Sequence, residues 1–87
     1  MAMRAATLFD AKQSCGKEAN AAKYLGAEAG FLACDRAMQT HGGFSYAKEY
    51  HIERLWRESR LLKVAPISQE MVLNYISTAV LGLPKSY

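Results

Sequence analysis

Hydrophobic residues recur every three or four positions along most of the chain, which predicts amphipathic helices rather than strands. In the longest periodic stretch, one apolar face is formed by Ala22, Leu25, Ala29, Leu32 and Ala33. Short interruptions rich in Gly, Ser or Pro separate the periodic stretches. The pattern predicts four helices, over residues 2–12, 17–38, 47–61 and 68–81. We therefore expect an all-α fold, an up-and-down helical bundle.

The ends of these helices are marked by residues that interrupt helical structure. Residues 14–16 end the first segment, and the Gly42–Gly43 pair ends the second, because adjacent glycines do not continue a helix cheaply. Pro66 stops the third, since proline disfavours helix at the residue before it. Ser68 is a good N-cap for the fourth helix, and Glu70 in its first turn suits the helix dipole.

Composition and charge narrow the function classes. The 87 residues form one small domain at most, and 51% of them are hydrophobic, which is enough for a core. The net charge of +3 is mild, and Lys and Arg are interleaved with Glu, so we expect no nucleic-acid partner. No apolar run approaches the ~18 residues that a membrane span needs, so the default expectation is a soluble, cytoplasmic protein that binds no membrane.

The thiols and imidazoles form no recognisable metal or redox motif. Cys15 and Cys34 are not in a CxxC arrangement, so we expect two reduced thiols. His41 and His51 have no Cys, Asp or Glu at metal-ligand spacing near both of them, so we expect no metal site.

The Gly42–Gly43 pair lies in an expected loop, residues 41–46, and has two interpretations. It is either a plain connector between helices or a turn whose backbone N–H groups approach a phosphate closely. The spacing of a dinucleotide-binding or P-loop motif is absent. The residues alone predict a helical bundle and leave both interpretations open.

The order of several short motifs is more specific than any one of them. The run from Gln39 to Tyr46 (QTHGGFSY) is followed by Glu49, by Glu53-Arg54, and by the run from Arg57 to Arg60 (RESR). This order resembles the C-terminal pattern of the acyl-CoA dehydrogenases, which runs QxxGGxGY, E, ER and RDAR.

Two further stretches extend this resemblance over essentially the whole chain. The run from Glu18 to Lys23 resembles the AAMAK helix of the family, and the run from Val80 to Gly82 resembles its closing LLG. The resemblance implies the later helices of the four-helix C-terminal domain, which follows an N-terminal helical domain and a β-barrel in a complete enzyme.

The resemblance implies a role in a flavoenzyme of fatty acid metabolism. A complete enzyme of this family binds FAD and an acyl-CoA substrate, dehydrogenates the α,β bond, and passes electrons to an electron-transfer flavoprotein. It is a homo-oligomer, a dimer or a tetramer. The 87 residues alone are then expected to be inactive and to carry no FAD.

The resemblance also assigns cofactor contacts by position. Gln39, Gly42 and Gly43 match residues that contact the ADP part of FAD, usually FAD bound mainly by a neighbouring subunit. Ser68 and Glu70 match the T-x-Q pair at the cofactor; Ser68 keeps the hydroxyl, whereas Glu70 replaces an amide donor with a negative charge. At Gly43 we expect a backbone conformation that only glycine tolerates, in addition to a close approach to phosphate.

The largest departure from the family is at the catalytic base. Many members have a Glu there, in Y/F-E-G-T, whereas this chain has Pro66, which cannot abstract a proton. The resemblance therefore assigns no catalytic residue within the chain. Either the base lies on an earlier helix outside these residues, or the parent is a non-dehydrogenating relative.

A second class of function is a small helical binding or oligomerisation module without catalysis. In both classes the apolar helix faces need partners, so we expect the chain to self-associate.

Overall fold

A computed structural model describes residues 1–86, and every regular element in that range is helical, which confirms the all-α fold. The four α-helices are α1 (Ala2–Asp10), α2 (Gly16–His41), α3 (Ile52–Leu61) and α4 (Gln69–Tyr75). Two 3₁₀ helices, Gly42–Tyr46 and Lys48–Tyr50, lie between α2 and α3, and a π-helical turn, Ile76–Val80, follows α4. None of the helices in the described range combines the length and the apolarity that crossing a bilayer requires.

The chain divides into two compact units. The central unit is Gly26–Pro66, and the terminal unit is Met1–Leu25 together with the described residues from Ile67 onward. Helix α2 begins in the terminal unit and ends in the central one.

In the central unit, α3 packs against the side of α2 that carries Phe31. The Phe31 and Trp56 ring centroids are 5.7 Å apart. The Lys63 ammonium lies 5.2 Å from the Phe31 ring centroid and 3.0 Å from the Glu28 carboxylate. Ala27, on the same side of α2, is only 3% exposed. The stripe of α2 on this side consists of residues 27, 31, 34 and 38, of which Ala27 is buried and the others are half-buried.

The apolar face predicted for α2 is a different one, and most of it is exposed. Leu25 and Leu32 are 54% and 55% exposed, and Ala29 and Ala33 are exposed as well. The prediction was wrong about the buried side because Phe31, a large aromatic ring, meets Trp56 and draws α3 onto the neighbouring stripe. Helix α2 thus has two apolar sides, and within the central unit the described residues cover only the one that carries Phe31.

The terminal unit has a small core around α4. Val72 is 1% exposed. The Glu18 carboxylate of the same unit is buried and paired with the Arg4 guanidinium at 3.5 Å. Ser68 caps α4 as predicted, since its hydroxyl oxygen accepts a hydrogen bond from the Met71 N–H at 3.3 Å.

The predicted boundaries of the middle helices differ from the structure. Helix α2 continues through His41, and the expected loop after it is a 3₁₀ helix. Helix α3 begins at Ile52 rather than at residue 47, because Ala47 is extended and His51 is left-handed, with φ of 61°. The Tyr50 ring packs edge-on against Phe44 at 5.7 Å, which accompanies this reversal of the backbone.

Candidate cofactor-binding cleft

An open cleft of about 740 Å³ lies in the central unit, between the end of α2, the first 3₁₀ helix and α3. Three residues that the sequence predicted as cofactor contacts, Gln39, Gly42 and Gly43, line it together. The other lining residues are Asp35, Met38, Ser45, Tyr46, Lys48, Glu53, Trp56 and Arg57. The structure therefore gathers three of the five predicted contacts at one surface.

Gly42 gives the turn at the base of the cleft its shape. Its φ is +58°, a left-handed conformation that glycine adopts at little cost, and it ends α2. The Ser45 hydroxyl donates a hydrogen bond to the Gly42 carbonyl oxygen at 2.7 Å, and Ser45 is 2% exposed. A buried side chain thus holds this turn in place.

Gly43 differs from what the sequence analysis expected. Its φ lies outside the left-handed region, so a larger residue there meets no backbone strain, whereas a larger residue at Gly42 would meet it. A Cβ built on Gly43 has no heavy atom within 4 Å. Gly43 also lines the cleft, so a side chain at this position would be added at the surface of the cleft.

The charges of the cleft are balanced between α2, α3 and the segment that joins them. The Arg57 guanidinium donates from Nε to the Glu53 carboxylate at 2.9 Å. This hydrogen bond lowers the pKa of Glu53 below its usual range, and the positive charges of Arg57 and Lys48 lower it further. Glu53 is therefore ionised at neutral pH, and it is an acceptor only.

Aromatic rings form the other part of the cleft surface. The Trp56 indole N–H donates to the Asp35 carboxylate at 3.1 Å, which fixes the indole ring beside Phe31. Tyr46 is 78% exposed where it borders the cleft. An exposed Tyr46 ring and a half-buried Trp56 ring, next to glycine backbone and an arginine, suit a ligand that has both a planar ring and anionic groups.

The two remaining predicted contacts lie in the terminal unit and do not line this cleft. The Ser68 oxygen serves as the N-cap of α4, and Glu70 is exposed in the first turn of that helix. Pro66, at the position of the family's catalytic Glu, is exposed in the turn between α3 and α4.

Sequence reasoning did not predict the cleft residues on α3. Glu53, Trp56 and Arg57 are three and four positions apart, which puts them on one side of a helix. Both Glu53 and Arg57 belong to the motifs that carry the family resemblance, but that resemblance assigned neither of them a contact with the cofactor. Asp35, one helical turn before Gln39, was not singled out at all.

Comparison with known proteins gives a consistent result. The chain matches the family described as "Acyl-CoA dehydrogenase, C-terminal domain" over residues 1–81. It is 46% identical to an acyl-CoA dehydrogenase of Mycobacterium tuberculosis, in an alignment that covers 100% of this chain and 23% of that protein. It is 36% identical to the 3-(aryl)acrylate reductase of Clostridium sporogenes, over 88% of this chain and 20% of that protein.

A third relative belongs to an electron-transfer complex. The chain is 42% identical to a subunit of the caffeyl-CoA reductase-Etf complex of Acetobacterium woodii, over 69% of this chain and 16% of that protein. No solved structure matches the chain. The chain spans less than a quarter of the length of these relatives. It belongs to the acyl-CoA dehydrogenase family, and its residues 1–81 match that family's C-terminal domain.

Proposed function

We propose that this chain is the C-terminal helical part of an FAD-dependent acyl-CoA dehydrogenase, and that its central cleft contacts the ADP part of FAD. The observation that carries the proposal is the convergence of Gln39, Gly42 and Gly43 on one cleft. The longer protein would dehydrogenate the α,β bond of an acyl-CoA thioester and pass electrons to an electron-transfer flavoprotein. The chain's share would be to bind the cofactor and to contribute to a homo-oligomer interface.

The residues of the cleft fit a nucleotide diphosphate. Gly43 leaves open space next to its backbone, so phosphate oxygens can come close to it. The Gln39 amide can donate to a phosphate oxygen, and Arg57 and Lys48 supply positive charge at the same cleft. Trp56 and Tyr46 offer aromatic surface for a base.

The two proposed cofactor contacts in the terminal unit differ in whether they can donate a hydrogen bond to the cofactor. The Ser68 oxygen accepts the Met71 N–H, and its own O–H proton can still be donated to a cofactor oxygen. Glu70 is exposed, and an ionised carboxylate has no proton to donate and repels phosphate. We propose Ser68 as the contact and assign Glu70 no favourable one.

The chemical step requires groups outside this chain. FAD supplies the hydride acceptor of such an enzyme, and a carboxylate must remove the substrate's α-proton. Pro66 has no group that can do so, and the base is therefore proposed on a helix that precedes these residues.

The second candidate function is that of a reductase, which works in the opposite direction and is favoured by the relatives named as reductases. Activity of the longer protein on a saturated or an unsaturated acyl-CoA distinguishes the two.

The proposed cofactor contact is tested by filling the space at Gly43. We expect Gly43→Val in the longer protein to lower its affinity for FAD by about 10-fold or more, because even one charge-assisted hydrogen bond to phosphate is worth about one decade. The measurement is the flavin-to-protein ratio after dialysis, together with the circular dichroism.

The matched control is Gly30→Ala. Gly30 lies inside α2, its added Cβ has no heavy atom within 4 Å, and it does not line the cleft. Equal flavin retention in wild type, Gly43→Val and Gly30→Ala, with unchanged helix content, would show that the Gly42–Gly43 turn is only a connector.

A further inference from the structure

We propose that Arg57 is the residue that recognises the phosphate groups of the cofactor in this cleft, and that Glu53 is the positioning residue that holds its guanidinium ready. This inference rests on the proposed function, since it takes the cleft to be the FAD site. It assigns roles to two residues to which the family resemblance gave none.

The geometry of the pair leaves the binding edge of the guanidinium open. Glu53 accepts from Nε of Arg57 at 2.9 Å, while neither terminal Nη group of Arg57 bonds to any residue in the described part of the chain. The Arg57 side chain is 64% exposed, whereas that of Glu53 is 24% exposed. The fixed end of the pair is thus the carboxylate, and the accessible end is the Nη1/Nη2 fork, which can hold two phosphate oxygens at once.

Arg57 suits this role better than Lys48, the other cation of the cleft. A guanidinium held at Nε is oriented before the ligand arrives, so little further side-chain entropy is lost on binding. A lysine ammonium is a point charge on a flexible stem and does not provide two parallel donors. Glu53 is needed because it keeps the fork directed outward, although its own charge opposes the phosphate at longer range.

Helix α3 supplies a matched control one turn away from the functional pair. Arg54 bonds to Glu58 at 3.3 Å, also at a spacing of four residues, and neither residue lines the cleft. Substitutions at Arg54 and Glu58 therefore change the helix charge as substitutions at Arg57 and Glu53 do, without touching the site.

The experiment compares FAD, ADP and adenosine as ligands of the longer protein after its flavin has been removed. Kd for FAD is measured by flavin fluorescence, and ADP and adenosine are measured as competitors. The variants are Arg57→Gln, Arg57→Lys, Glu53→Ala, Arg54→Gln and Gly43→Val, each checked for helix content. For Arg57→Gln we expect FAD and ADP to bind about 10-fold more weakly or worse, with adenosine unchanged. Arg57→Lys and Glu53→Ala should lose several-fold for ADP, and Arg54→Gln should lose nothing.

Other results overturn the inference in distinguishable ways. If Gly43→Val weakens FAD binding and Arg57→Gln does not, the cleft holds the cofactor but Arg57 does not recognise it. If Arg57→Gln weakens ADP and adenosine equally, the role of Arg57 is structural. If neither variant changes FAD binding, the cleft is not the cofactor site, and the proposed function of the cleft fails with the inference. Should Arg57→Gln not fold, Arg57→Lys gives the same comparison with the charge retained.

Discussion

Gly42 and Gly43 are adjacent in sequence, yet the structure predicts that alanine destabilises the chain at Gly42 and not at Gly43. Gly42 has a φ of +58°, and an added Cβ there would meet no heavy atom within 4 Å, so the cost of Gly42→Ala is purely conformational. An L-residue in the left-handed region costs about 1–2 kcal/mol relative to glycine. For a domain of this size, 1 kcal/mol shifts Tm by roughly 4–8 °C, so we expect Gly42→Ala to lower Tm by about 5–15 °C.

Two further substitutions make this prediction specific. Gly43→Ala should leave Tm within about 2 °C of wild type, since Gly43 has neither a left-handed backbone nor a crowded Cβ. Gly42→Asn should recover part of the loss, because asparagine tolerates the left-handed conformation better than alanine. The assay is thermal unfolding by circular dichroism at one fixed protein concentration, since association changes apparent stability. Equal Tm values for Gly42→Ala and Gly43→Ala would refute the assignment of the strained position.

Three other predictions follow from the structure. Lys12 has a φ of 55° at the end of α1, where its N–H donates to the Phe9 carbonyl and the Gln13 N–H donates to the Leu8 carbonyl. Because glycine adopts this left-handed conformation at little cost, Lys12→Gly should stabilise the chain by about 1 kcal/mol. Ala6→Gly, inside α1, should destabilise it by a similar amount. The pKa of Glu53, which Arg57 lowers, should rise toward 4.5 in Arg57→Gln when it is followed by carboxyl NMR. Because the pKa is lower in the folded state, the pair stabilises the fold at pH values above the usual Glu pKa range, and this stabilisation is lost as the pH falls through the lowered pKa. A Glu53 pKa that does not respond to Arg57→Gln would contradict the pairing. The chain should sediment as an oligomer at high micromolar concentration. Leu32→Glu, on the exposed face of α2, should weaken this association more than Leu83→Glu, which lies outside the helices. A clean wild-type monomer would contradict the predicted self-association.

The sequence was informative where a local pattern sets the structure. Helical periodicity predicted the all-α fold, and the N-cap at Ser68 needed only its own residue type and position. The Gly42–Gly43 pair correctly marked the end of α2, whereas α3 ends at Leu61, five residues before Pro66. These features depend on neighbours within about four residues.

The sequence was less informative where contacts between distant segments determine the structure. Which side of α2 is buried depends on Phe31 meeting Trp56, 25 positions further along, and alanine spacing alone favoured the wrong side. The start of α3 depends on Tyr50 packing against Phe44 and on a left-handed His51, which no propensity predicts. Similarly, the spacing of Glu53 and Arg57 in the sequence indicates only an ion pair on a helix, and their position in the cleft with Gln39 and Gly43 is visible only in the structure.

The distance between the Gly43 backbone nitrogen and the cofactor, in an experimental structure of the longer protein with FAD bound, tests the central proposal most directly. We expect a phosphate oxygen of FAD within hydrogen-bond distance of that nitrogen, about 2.7–3.2 Å, with the Gln39 amide at the same diphosphate. The proposal is contradicted if the cofactor lies elsewhere and the cleft beside Gly43 is filled by another part of the protein.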